Sequence, residues 1–113
     1  MDLIKLQYEI CEKYGSPYFQ TPLILKVGVS ISLKESIYPV NGLRHPPEGD
    51  TTGWYLWAGE YSDDPDFFVP LHAQHLEEWR PEILKYLALA PGWRFLLTPD
   101  YEDVWEDADL LDI

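Results

Sequence analysis

His72 and His75 stand three residues apart in a segment that reads as a helix, so both imidazoles could reach one metal ion, with Glu77 or Glu78 adding oxygen ligands. The run His-Ala-Gln-His lacks the glutamate beside a histidine that acts as general base in zinc-protease helices, and His45 lies in a distant loop. Both are read as surface or capping histidines, and no metal is expected. Asp63, Asp64 and Asp66 offer oxygens to a hard cation. A calcium loop, however, needs alternating acids, a central glycine and a distal glutamate in register, so a capped turn before a helix is expected instead. Gly49, Gly53 and Gly59 miss the dinucleotide fingerprint and read as hairpin and strand-end geometry. With no serine in a glycine elbow, no cysteine beside a histidine and no glycine-rich phosphate loop, catalysis has no anchor. The chain is read as a non-enzyme without cofactor.

The remaining candidate is the run from Asp100 to Asp107, where Glu102, Asp103, Glu106 and Asp107 alternate with Tyr101, Val104 and Trp105. Crowded carboxylates do acid–base work only when burial raises the pKa of one of them. Two readings stand side by side: an edge strand packing its apolar residues inward among solvated acids, and a docking surface with aromatic anchors inside a ring of negative charge. Five tryptophans and eight tyrosines in 113 residues favour some aromatic exposure at an interface, and hence binding.

Charge sharpens this reading. The net charge is -12, and it is not evenly spread: residues 1–59 hold 6 acids and 5 bases, residues 60–113 hold 14 acids and 3 bases. Such a field repels phosphate backbones and anionic membranes and favours a basic protein partner. A content of 46% hydrophobic and 15% aromatic residues excludes disorder, and the length fits one domain, 1–113, with 1–22 as helix and connection and 23–113 as the sheet-containing body. No apolar run approaches the roughly 18 residues of a membrane span, and Met1-Asp2-Leu3-Ile4-Lys5 does not open a signal peptide, so the cytoplasm is expected. The single cysteine, Cys11, excludes an internal disulfide.

Several elements must position these groups. Leu3, Leu6, Ile10 and Tyr14, with Ile4, Tyr8 and Cys11 adjoining, predict a helix from Leu3 to Tyr14 that starts on Asp2 and ends at Gly15. Cys11 falls in its apolar band as a buried, unreactive thiol. Period-two alternation from Leu23 to Leu33 predicts a half-buried strand, bent near Gly28. Asn41-Gly42 and His45 to Asp50 read as loops, and Gly53 to Gly59 as a central strand with large residues on both faces. Leu71 to Trp79 and Pro81 to about Leu89 read as two short helices, and Trp93 to Leu97 as a strand. This order predicts an α+β fold: a mainly antiparallel sheet, an N-terminal helix and a pair of short helices before the last strands.

Asp50-Thr51-Thr52-Gly53-Trp54-Tyr55-Leu56-Trp57-Ala58-Gly59-Glu60, Pro70-Leu71-His72, Pro81 to Leu87, Pro91-Gly92-Trp93-Arg94-Phe95 and Tyr101-Glu102-Asp103-Val104-Trp105 together resemble the immunity protein 33 family over roughly residues 27–107. The resemblance implies a small cytosolic bacterial protein that binds and neutralises a toxin of a polymorphic toxin system, without catalysis or cofactor. Its motif falls on Asp50, Gly53, Trp54, Gly59 and Glu60. Gly53 and Gly59 are expected to set backbone geometry, and Trp54 to pack the core. A cognate, basic toxin would dock on Glu102, Asp103, Trp105, Glu106 and Asp107. The competing readings are a small-ligand or regulatory domain with a pocket of Trp54, Tyr55, Trp57 and Trp93, and a metal-dependent enzyme using His72 and His75.

Overall fold

Asp2 accepts hydrogen bonds from the amides of Ile4 and Lys5 (3.1 and 3.4 Å), and Gly15 leaves the helix at φ 82°, so the first helix, α1, runs Leu3–Tyr14 between the two caps read from sequence. The computed structural model describes residues 2–112. Its six strands are β1 (Lys26–Val29), β2 (Val40–Arg44), β3 (Thr51–Ala58), β4 (Val69–His72), β5 (Trp93–Thr98) and β6 (Tyr101–Glu106). Between β4 and β5 lie a 3₁₀ turn (Ala73–His75), the single-turn helix α2 (Leu76–Trp79) and a 3₁₀ helix (Pro81–Tyr86).

These strands form one sheet in the order β4-β1-β3-β2-β5-β6, with only β1–β3 parallel. The expected α+β architecture is therefore the one found: a mainly antiparallel sheet, an N-terminal helix and short helices before the last strands. Strand alternation gives the sheet an inner face of Val29, Val40, Trp54, Leu56, Phe95 and Val104. Onto it pack Ile10 and Cys11 of α1 and Ile83, Leu87 and Leu89, which makes one core. On the outer face the 3₁₀ helix Ala108–Leu111 comes up to His45, whose ring packs against Tyr55. The loop after β3 lays Tyr61 and Phe68 over Tyr55 and Trp57, with ring centroids 5.1 to 5.9 Å apart, and Phe67 packs in turn on Tyr61 and Phe68.

Several local expectations are corrected. The strand read over Leu23–Leu33 is only Lys26–Val29: Leu23 and Ile24 are exposed, and after Val29 the chain turns into a 3₁₀ helix over Ile31–Lys34. The bend near Gly28 is present as a register shift between Lys26 and Gly28. Asn41-Gly42, read as a loop, lies inside β2, because a Cβ on Gly42 would sit 2.3 Å from the Phe95 ring: only glycine lets that ring cross the strand. Leu71 and His72 belong to β4, the helix beyond Pro81 is 3₁₀ and ends at Tyr86, and the Asp64-capped turn at Asp66 leads into β4, not a helix. On α1, Ile4 and Tyr8 are exposed while the polar Gln7 is buried, its amide donating to the Leu84 carbonyl at 3.0 Å.

Candidate functional site

β6 reaches the edge of the sheet through a two-residue Pro99-Asp100 turn that pairs Thr98 with Tyr101. Among the described residues it pairs on one side only, with β5. Opposite Leu97, Phe95 and Trp93 stand Glu102, Val104 and Glu106, which places these three on the helical side; Tyr101, Asp103 and Trp105 lie on the outer side. The five residues singled out from sequence are thus distributed over both faces of one edge strand and its exit.

Their surroundings differ. Glu102 is half-buried and accepts from the phenol of Tyr14 (2.5 Å), the phenol of Tyr86 and the Lys13 ammonium (3.0 Å). Burial works to raise its pKa, but the hydrogen bonds from Tyr14, Tyr86 and Lys13 outweigh it and hold the carboxyl at about 2. Burial and the neighbouring carboxylate push both phenols up, so at neutral pH they remain donors. Asp107 takes the Arg94 guanidinium at 3.2 Å and caps the 3₁₀ helix Ala108–Leu111 that follows β6, through the Asp109 amide. Arg94 also lies over Trp105, 5.6 Å from the ring centroid, so this outer corner is a partly buried Trp–Arg–Asp stack. Glu106 is exposed and Asp103 half-exposed.

The aromatic expectation resolves by residue type. Tyr8, Tyr55, Tyr61 and Tyr101 are exposed, whereas Trp54, Trp57 and Trp93 are buried and Trp79 and Trp105 half-buried. Trp54, Tyr55, Trp57 and Trp93 do not converge on a pocket: β3 sends Trp54 to the inner face, where its indole donates to Thr21 and the Leu87 carbonyl, and Tyr55 and Trp57 to the outer one. Only Trp54 and Tyr55 border a small hollow of about 200 Å³ beside β1. A larger cleft of about 940 Å³ opens on the helical side, between α1, the 3₁₀ helix Pro81–Tyr86 and the β5–β6 turn.

His72 and His75 face each other at 6.4 Å between ring centroids, with His72 Nδ1 spent on the Ile24 carbonyl. Among the described residues, no three His, Cys, Asp or Glu side chains are grouped as a metal ion would need. No described helix is long and apolar enough to cross a membrane. Cys11 is buried, and burial raises its thiol pKa.

Of the residues at the motif positions, Gly53 takes φ 90° and passes so close to the His45 carbonyl that a Cβ would stand 1.9 Å from its oxygen. Gly59 takes φ 77° and donates its amide to Pro39. Asp50 pairs with Lys26 at 2.9 Å, and Glu60 is exposed.

Arg44, one of the five bases of the first half, carries no assignment from the sequence and is fully buried. Its guanidinium donates to the carbonyls of Phe19, Gln20, Thr52, Leu87 and Leu89, at 2.8 to 3.3 Å. Burial lowers its pKa to about 10, so it stays charged at pH 7. The signal was available in part: from Val40 the inner-face period of two runs through Gly42 to position 44.

No curated protein and no solved structure gives a significant match to this chain. The Imm33-like domain family, by contrast, matches residues 6–107. That span takes in most of α1, the Arg44 interior, Trp54 with its flanking glycines and the whole of β6, and on this match the chain belongs to the Imm33-like domain family.

Proposed function

We propose that this chain is a bacterial immunity protein of the cytoplasm, a non-catalytic binder that neutralises a basic protein toxin by occupying it. The observation that carries the reading is the edge strand β6. It is unpaired on one side, holds Glu102, Asp103 and Glu106 within six residues, and is followed by Asp107. An edge strand is reached from both faces by one partner, so a protein gripping it meets Glu102 and Glu106 on one side and Asp103 and Trp105 on the other. Membership of an immunity-protein family supports a toxin as the partner. Charge supports its sign: a net charge of -12 speeds encounter with a cationic surface by about 10–1000-fold at low salt and repels nucleic acid and anionic membranes. No cofactor enters this mechanism, because blocking a toxin needs only area, complementarity and charge.

The test is capture from a lysate of the source organism with the tagged chain at low and high salt. The captured protein is then expressed alone and together with this chain. The reading expects one basic protein, held at low salt and weakened at high salt, toxic alone and harmless in company. Capture of no specific protein, or of one whose toxicity this chain leaves untouched, would refute it.

A further inference from the structure

The cleft beside β6 has a chemistry of its own. Its volume of about 940 Å³ lies at the upper end of the roughly 300–1,000 Å³ that ligand sites span. Leu3, Leu6, Leu84 and Leu97 contribute apolar surface. Around them stand Glu77, Glu82, Asp100 and Glu102, against Lys85. We infer that this cleft receives a cationic, apolar segment of the partner protein, one arginine or lysine of which takes the place of Lys13 on Glu102. The inference rests on the toxin-binding reading and names where on the acidic edge the partner is held.

Glu102 is the group that makes this site more than an acidic rim. Its carboxylate is held by the phenols of Tyr14 and Tyr86, so it is an ion fixed in position before any partner arrives. A carboxylate offers about four acceptor positions. The phenols take two and Lys13 a third. Release of Lys13 therefore leaves two, the number a guanidinium fork fills. Lys13 is suited to release, since its side chain is 63% exposed and ion pairs that open to water hold weakly. A second copy of this chain is the wrong occupant, because it brings the same net charge of -12 to an acidic cleft.

The test titrates the isotope-labelled full chain with the peptide acetyl-Arg-Leu-Leu-Arg-amide, using acetyl-Glu-Leu-Leu-Glu-amide as control, and follows the amide resonances. The inference expects the arginine peptide to shift Leu6, Leu84, Leu97 and Glu102 and the glutamate peptide to leave them in place. Lys13→Ala, by removing the competitor, should tighten the arginine peptide at least threefold, and Glu102→Gln should weaken it at least tenfold. Shifts clustered elsewhere, equal response to both peptides, or a Kd unmoved by Lys13→Ala would overturn it. Lys13→Ala decides the matter even where Glu102→Gln disturbs folding. Failure of the peptide beside a captured, salt-sensitive toxin removes the cleft and leaves the toxin-binding reading standing. Failure to capture a toxin removes that reading.

Discussion

Around Arg44 the chain encloses one cation in carbonyl oxygens and supplies no carboxylate; along β6 it crowds carboxylates toward solvent and supplies few cations. Arg80 repeats the first pattern in part: it is buried and donates to the carbonyls of Leu33, Glu35 and Ile37, but it also pairs with the Glu82 carboxylate at 2.7 Å. Two of the eight basic side chains are thus spent inside the fold, joining loops to the sheet. The difference teaches that net charge alone does not say where each charge is presented. Both still count in full toward the net charge of -12, but neither presents its guanidinium at the surface, whereas most acids of the second half face water. The interior cations set where the chain goes, and the exposed anions are left to meet something else.

Breaking the interior side of this contrast should have the largest effect. Arg44→Met deprives five carbonyls of their donor, and buried acceptors left unpaired cost about 1–3 kcal/mol each before relaxation. A loss of at least about 3 kcal/mol is expected in urea unfolding, with a melting temperature lower by about 10 °C or more. Gly53→Ala comes next, because its φ of 90° and the 1.9 Å approach to the His45 carbonyl oxygen force the backbone to move; calorimetry should show a loss of about 2–3 kcal/mol.

Glu102 belongs to both sides of the comparison. Its pKa, about 2 in the fold against 4.5 for the free group, is depressed, so its stabilisation is fully present above pH 4.5 and is lost as pH falls toward 2. Allowing for its partial exposure, Glu102→Gln should cost about 1–2 kcal/mol at pH 7. The gap between variant and parent should close between pH 4.5 and 2 in a series of denaturant curves. A gap that persists at pH 2 would mean the carboxylate is not held by its phenols. The smallest effect on stability is expected from the pair Asp103→Asn and Glu106→Gln, which should keep the melting temperature within about 2 °C while slowing association with a basic partner severalfold.

How much of this was legible depends on where the determining contact lies. The caps of α1 were readable because Asp2 and Gly15 act on their own helix, and β5 because Trp93, Phe95 and Leu97 face the core while Arg94, Leu96 and Thr98 alternate with them. β2 was not readable through Asn41-Gly42: locally that pair favours a turn, and only the Phe95 ring, 53 residues along the chain, explains the glycine in a strand. The same holds for Leu23 and Leu25. Their alternation continues that of β1, but the carbonyls of these residues are taken by the amides of Gln74 and Ala73, which tie the segment to the 3₁₀ turn after β4 outside the regular ladder. At the candidate site, the acidic edge strand itself was visible in residues 101–106, while the division of roles along it was not. The partners that fix Glu102 come from positions 13, 14 and 86, and no local pattern joins them.

In the proposed function, the acids of β6 bring a basic toxin to this protein. The most direct measurement is the association rate of the chain with its captured toxin between about 50 and 500 mM salt, for the parent and for the Asp103→Asn, Glu106→Gln double variant. For the parent the rate is expected to fall at least tenfold across this range, and for the variant the fall is expected to be visibly shallower. A rate indifferent to salt, or a variant with the parent's salt dependence, would contradict it.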